Sequence, residues 1–305
     1  MDVCVLGSFA VDLMSVTPQL PLPGETVLGQ SFHMGAGGKG SNQAIAAHKA
    51  GAQVQLITKT GRGTFAGFAR STYAALGMDT TYVYQDEHAA TGTALILVQA
   101  GSGQNSIVVN PGACMHLQAQ EVERAASVIQ SARVFLTQLE TNLPPVWQAL
   151  ALARAKGIPT ILNPAPFQPL DDAILQQVDW LTPNETEAGL LCGFPVCQVE
   201  QARRAAEALR ARGVAHVVIT LGEKGLFYAD AQQAVHLPAA YAGPAIDTTG
   251  AGDCLNGALA CALSQGRTPL EACRFANAAA ALCVTRMGAA ASMPSREQIE
   301  RQLQL

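Results

Sequence analysis

The chain has 305 residues, of which 49% are apolar and only 14% charged, with a formal net charge of −4. This composition builds a large core and argues against intrinsic disorder, and a mildly negative chain with no block of like charges argues against nucleic acid as a partner. No apolar run reaches the roughly 18 residues of a membrane span, and Met1-Asp2-Val3-Cys4-Val5-Leu6-Gly7-Ser8 lacks the basic region of a signal peptide, so a cytosolic protein without membrane contact is expected.

In chain order, short β-rich runs at 3–6, 54–57, 134–139, 160–162, 180–182 and 217–220 alternate with helical periodicity. The helices are predicted at 41–49, 65–75, 119–131, 146–156, 185–191, 199–211, 255–263, 270–284 and 295–304. Continuous apolar strands between helices predict an α/β fold with a mostly parallel sheet covered on both faces, and ligands in such sheets sit at the carboxyl ends of the strands. Two stretches break the rhythm. Residues 11–33 and 91–110 carry alternating residues and turn signals, among them Pro21-Leu22-Pro23-Gly24, Gly92 and Gly101-Ser102-Gly103. They predict short antiparallel strands forming a small sheet over an active site. No repeat or linker divides the remainder, so one domain over 1–305 is expected, with a lid inserted from about 11–34 and 91–110.

The eight cysteines include no C-x-x-C pair, and the six histidines have no metal-ligand spacing, so neither a zinc site nor a disulfide framework is indicated. Cys254 and Cys261, seven apart, suit the buried face of a helix.

Three groups of residues carry chemistry. Gly35-Ala36-Gly37-Gly38-Lys39-Gly40-Ser41-Asn42 contains G-x-G-x-x-G, but no acidic residue lies between Glu25 and Asp79 to hold a ribose, which argues against a dinucleotide-binding fold. A P-loop fails because Met34 stands where its first glycine belongs. What remains is a glycine turn that lets backbone approach a small polar ligand, with Lys39 and Asn42 as contacts, or a plain tight turn. Glu140 ends one strand, Asn163-Pro164-Ala165-Pro166 the next, and Asn184-Glu185-Thr186-Glu187 follows a third. Glu187 suits either an indirect Mg²⁺ and phosphate contact or a first-turn acid that complements a helix dipole. Finally, Asp247-Thr248-Thr249-Gly250-Ala251-Gly252-Asp253 precedes a helical run. Glycines before a helix free its first N–H groups for an anion. An aspartate there suits a general base in phosphoryl transfer, or, more blandly, an acidic cap.

Taken together, these motifs resemble those of the ribokinase family, the PfkB-type carbohydrate kinases, along essentially the whole chain. The resemblance rests on Gly7-Ser8 with Asp12, Pro23-Gly24-Glu25-Thr26, Gly37 to Asn42, Gln138-Leu139-Glu140, Asn163-Pro164-Ala165-Pro166, Asn184 to Glu187, Thr220-Leu221-Gly222, Asp247 to Asp253 and Thr285-Arg286-Met287-Gly288. It implies a three-layer α/β/α sandwich with a small β-sheet lid. It also implies an ATP-dependent kinase for the primary hydroxyl of ribose or 2-deoxyribose, with another small substrate of the family (a fructose-like sugar, a sugar acid or a nucleoside) as the alternative. Under the resemblance Asp253 is the base, with the amides of Gly250, Ala251 and Gly252 stabilising the transferring phosphoryl group. Ala10, Asp12, Gly38, Lys39, Gly40, Asn42 and Glu140 surround the sugar. Asn184, Thr220, Gly222, Glu223 and Asn277 line the ATP site, with Glu187 helping to position Mg²⁺. An activating monovalent cation, K⁺, maps onto Asp247, Thr249, Cys283, Arg286, Gly288 and Ser292, and a homodimer through the lid is implied. Three positions depart from the family pattern. Ala10 replaces the asparagine that rewards the sugar's 2-hydroxyl, so 2-deoxyribose is expected to be accepted comparably to ribose or better. Cys114 makes an atypical pocket an expectation, and Arg62 is expected to be a surface change.

Overall fold

The structure, a computed structural model, describes residues 1–304. Its elements are, in order, β1 (Val3–Leu6), β2 (Ala10–Thr17), β3 (Ser31–Gly37), α1 (Lys39–Lys49), β4 (Val54–Thr60), α2 (Thr64–Ala75), β5 (Val83–Gln85), β6 (Gly92–Gln99) and β7 (Asn105–Asn110). There follow α3 (Ala119–Arg124), α4 (Ala126–Ser131), β8 (Val134–Gln138), α5 (Leu143–Ala155), β9 (Thr160–Asn163), α6 (Asp172–Leu175), β10 (Trp180–Leu181), α7 (Glu185–Cys192) and α8 (Val199–Ala211). The chain ends with β11 (His216–Thr220), β12 (Leu226–Ala229), β13 (Ala234–Leu237), α9 (Ala251–Ser264), α10 (Pro269–Cys283) and α11 (Arg296–Gln302).

Nine strands form one sheet in the order β13-β12-β11-β10-β9-β8-β1-β4-β5. Every pairing from β11 to β5 is parallel, and only β12 and β13 join antiparallel. Successive strand residues point to opposite faces, so Val3 and Val5 join one core cluster while Cys4 and Leu6 join the other. The first cluster is closed by Ile45 of α1, Tyr73 of α2, Leu259 of α9 and Phe275 of α10, the second by Leu150 of α5 and Leu209 of α8. The result is an α/β/α sandwich, as the sequence pattern requires.

A second, four-stranded sheet has the order β3-β2-β6-β7. Its strands were expected to be antiparallel. The hairpins β2–β3 and β6–β7 are, but they join through a parallel pair, β2 with β6, in register from Ala10 opposite Gly92 to Thr17 opposite Gln99. The reason is topological. β2 follows β1 and β6 follows β5, so both leave the same carboxyl edge of a parallel sheet and run in the same direction. One face of this small sheet carries Asp12, Met14, Ala94, Ile96, Ile107 and Val109; the other carries Leu13, Met34, Leu95 and Val108.

Other departures are local. The single helix expected over 119–131 divides at Ala125 into α3 and α4. The elements β5, β12, β13 and α6 have three or four residues each, too few for a period to register. Arg62 is exposed and pairs with Glu87 at 2.6 Å, as a surface position should. All eight cysteines are free, and no helix among the described residues is long and apolar enough to cross a membrane.

Candidate active site

The site lies at the carboxyl edge of β1, β8 and β9, where the first turns of α1 and α9 converge. That convergence depends on close helix packing. A Cβ on Gly257 of α9 would lie 2.4 Å from the Gln43 carbonyl oxygen and 2.6 Å from the Ala46 Cβ. Only glycine lets the two helices touch there. Asp253, one turn earlier on the same face, is thereby brought against α1. Asn42 Nδ2 donates to Asp253 Oδ2 and Gln43 Nε2 to Asp253 Oδ1, each at 3.0 Å.

Around Asp253 is a cavity of about 160 Å³, lined by Ala10, Asp12, Gly38, Lys39, Asn42 and Glu140, with Thr249, Gly250 and Asp253 at one end. The small sheet supplies its apolar wall through Ala94, Ile96, Ile107 and Val109. Of the sugar-site residues expected from the sequence, only Gly40 does not face the cavity. A Cβ there would meet Gly7 at 2.5 Å, so Gly40 serves the packing of α1 on β1. Glu140 Oε2 accepts from the Ser8 hydroxyl and from the Lys39 amide at 2.8 Å, so one oxygen is committed to structure. Asn42 Oδ1 is buried without a protein partner. Cys114 stands behind the wall: its sulfur accepts from the Phe9 amide at 3.1 Å, and its single S–H has the Phe9 and Lys59 carbonyls in reach at 3.1 and 3.2 Å. It therefore supports the pocket and does not line it.

Burial raises the Asp253 carboxyl above the ordinary aspartate range, against the opposing pull of Lys39 and the Asn42 and Gln43 donors. Burial, reinforced by the charges of Glu140 and Asp253, pushes Asp12 up to about 6. Burial alone would depress Lys39, yet the carboxylates of Asp253, Glu140, Glu187 and Asp12 hold its ammonium above the usual lysine range. Four acids thus act through space on one lysine.

A second cavity, of about 510 Å³, lies on the far side of the α9 N-terminus. Asn184, Thr220, Gly222, Glu223 and Asn277 all line it, with Thr248, Ala251 and Gly252 at the end nearest Asp253. The two cavities meet at Gly250–Asp253. Gly250 caps α9 in the left-handed region, φ 79°, a conformation that strains any other residue. The Ala251 amide donates to the Thr248 carbonyl at 3.2 Å, while those of Gly250, Gly252 and Asp253 have no acceptor among the described residues. The amides left free to accept a ligand's oxygen as partner are therefore those three. Ala251 is the one of the expected set whose amide is already engaged.

Glu187 is engaged as a first-turn acid at the N-terminus of α7. It closes a capping box with Asn184, its Oε2 accepting the Asn184 amide at 2.9 Å while the Asn184 Oδ1 accepts the Glu187 amide at 2.8 Å. Its other oxygen makes no such bond among the described residues, and burial raises its carboxyl above the glutamate range. The six residues of the expected cation site gather beside Gly250. Asp247 accepts from the Thr249 amide at 2.9 Å and the Gly288 amide at 2.8 Å. The Ser292 hydroxyl donates to the Ala289 carbonyl at 2.7 Å and touches the Cys283 sulfur at 3.0 Å. The Arg286 guanidinium turns away to Gln298 at 3.3 Å, so Cys283 and Arg286 can offer a cation only main-chain oxygens.

Two residues at the site were given no role in the sequence reading: Ser8, named only within the Gly7-Ser8 motif, and Gln43. The available signal was the polar run Ser41-Asn42-Gln43 opening a helix that is otherwise buried; all three side chains are buried.

Paired cavities joined at a helix N-terminus and an aspartate define a small-molecule kinase, and comparison with known proteins agrees. The pfkB family carbohydrate kinase model matches residues 1–296. The chain belongs to the pfkB family of carbohydrate kinases. A ribokinase of Haemophilus influenzae is 40% identical over 294 residues, 96% of this chain and 95% of that one. A deoxyribokinase of Salmonella typhi is 38% identical over 306 residues, covering 100% of this chain and 99% of its own. The structure of Arabidopsis thaliana ribokinase complexed with ribose and ATP matches with a TM-score of 0.90 at 30% identity, over 100% of this chain and 99% of that one.

Proposed function

We propose that this kinase transfers the γ-phosphoryl group of ATP to the primary 5-hydroxyl of a pentose, ribose or 2-deoxyribose, with Asp253 as general base. The observation that carries the reading is the meeting of a small, carboxylate-rich cavity and a larger one at Gly250–Asp253. The sugar enters the first, where Asp12 and Glu140 accept hydrogen bonds from its hydroxyls. Its primary hydroxyl faces Asp253, which takes the proton as oxygen attacks phosphorus. The unpaired amides of Gly250, Gly252 and Asp253, at the positive end of α9, stabilise the charge on the transferring group. Lys39, held charged by its four acids, adds a positive charge beside the same point. The three carboxylates that line this cavity, Asp12, Glu140 and Asp253, disfavour a sugar acid, whose anion would be repelled.

Mg²⁺ fits beside Glu187, which has one carboxylate oxygen to offer through water; when bound, the ion neutralises the ATP phosphates. K⁺ would be held by oxygens of Asp247, Thr249, Cys283, Arg286, Gly288 and Ser292, hard donors suited to a hard cation, and the bonds from Asp247 to the Thr249 and Gly288 amides support that grouping. The small sheet serves as a lid inserted in a single domain, and its outward apolar face, with Phe32, Met34, Leu95 and Val108 exposed, is the surface for a homodimer. The free cysteines and the use of ATP suit the cytosol.

A panel of ribose, 2-deoxyribose, fructose, a sugar acid and a nucleoside, assayed with ATP and Mg²⁺ with and without potassium, tests the reading. Turnover confined to the pentoses and raised by potassium is expected; a preference for any other substrate in the panel contradicts the pentose assignment.

A further inference from the structure

Asp253 is gripped at both oxygens by consecutive residues of α1, and only one of the two, Asn42, reaches the sugar cavity. We infer that Gln43 is a positioning residue of the reaction, a buried amide that fixes the Asp253 carboxylate and is itself oriented by Gln138. This inference rests on the assignment of Asp253 as base.

The amide of Gln43 is fixed from both ends. Its Oε1 accepts from Gln138 Nε2 at 2.6 Å. Its Nε2 donates to Asp253 Oδ1 at 3.0 Å and to Asn163 Oδ1 at 3.2 Å. The Asn163 oxygen is in turn held in place because Asn163 Nδ2 donates to the Thr182 carbonyl at 2.9 Å. A one-way chain of donors therefore runs from Gln138 through Gln43 to the base. Turning either glutamine amide over would set oxygen against oxygen.

The orientation has a visible cost at Gln138. Its Oε1 is buried with no hydrogen-bond partner, and it packs over Gly7, where a Cβ would come within 2.0 Å. A buried acceptor left unmade opposes folding, so Gln138 is held for what its NH₂ does. What it does is keep the NH₂ of Gln43 aimed at Asp253. A carboxylate pinned at both oxygens cannot swing, and its free lone pair keeps one direction. A base misdirected by even 1 Å loses much of its rate.

Gln43 lies outside the sugar cavity, so its effect falls on the chemical step and not on binding. It also falls on the proton affinity of the base. The charged groups facing Asp253 are Lys39 from α1, Glu140 after β8, Glu187 of α7 and Asp12 of β2. Among these acids, a donor on Oδ1 favours the ionised base.

The test uses the full chain with Gln43→Met and, separately, Gln138→Met, each similar in size and lacking the amide. Gln43→Met is expected to lower kcat by about 10- to 100-fold while the KM for sugar and for ATP stays within about threefold. The acid limb of the kcat–pH profile should move to higher pH. Gln138→Met should move both quantities in the same direction by less. A folded Gln43→Met protein with unchanged kcat, or one slowed with its acid limb in place, overturns the inference. If Gln43→Met does not fold, Gln138→Met decides by the same acid limb. Asp253→Asn separates the two layers. Retained turnover there removes the base assignment itself, whereas an inactive Asp253→Asn beside an unaltered Gln43→Met removes only the positioning role.

Discussion

Asn42 and Asp253 are 211 positions apart in sequence and 3.0 Å apart in space. The contact exists because Gly257 lets α9 lie directly on α1, one turn beyond Asp253. The fold thereby places the proposed base, from the last third of the chain, beside a proposed sugar contact from the first sixth.

Widening that helix contact should cost both stability and rate. In Gly257→Val the new side chain meets the Gln43 backbone and Ala46, so overpacking of about 1–3 kcal/mol is expected. Any folded fraction should show kcat reduced more than sugar affinity, because Asp253 moves away from Asn42 and Gln43. Denaturant melts and steady-state kinetics on the same preparation check this. Unaltered kcat in a destabilised variant would break the link between packing and catalysis.

Sugar affinity should depend on pH through Asp12, pushed up to about 6 by burial and by Glu140 and Asp253. Above that pH the carboxylate accepts a sugar hydroxyl, and below it the proton occupies the accepting oxygen. The sugar KM should therefore rise as pH falls through about 6, and Asp12→Asn should flatten that dependence. The sign for stability is set by the same shift. A carboxyl raised in the folded state disfavours folding once ionised, so its penalty is absent below the usual aspartate range and full above the raised value.

Ala10, buried in the cavity wall, offers no hydrogen bond to a 2-hydroxyl. Restoring one in Ala10→Asn should raise the ribose to 2-deoxyribose ratio of kcat/KM by about tenfold or more, since a site that bonds a hydroxyl discriminates strongly for it. Competition kinetics with both sugars measure the ratio. A wild-type enzyme that already prefers ribose strongly would contradict the role given to Ala10.

The sequence disclosed the parts whose signal is local. The parallel sheet was legible because short β-rich, largely apolar runs, such as those of β1, β8 and β11, alternate with helical periodicity along the chain. Asp253 and its glycines were legible because an anion hole must be built from adjacent residues. The parallel pairing of β2 with β6 was not, since direction there is set by which edge of the large sheet each hairpin leaves. Nor were Gln43 and Gln138. Gln43 reads as an ordinary polar helix residue and Gln138 only as part of the Gln138-Leu139-Glu140 motif, and their meaning comes from a network joining positions 43, 138, 163 and 253. Glu187 shows the converse limit. Its motif spacing fits both a metal contact and a first-turn acid, and a capping box leaves one of its oxygens open to the former.

The central claim, that Asp253 takes the proton in phosphoryl transfer, is tested most directly by single-turnover formation of the sugar phosphate in Asp253→Asn with sugar and Mg·ATP bound. Loss of about 10²- to 10⁴-fold in the transfer rate, with sugar affinity largely kept, is the expected result. Transfer at close to the wild-type rate would contradict it.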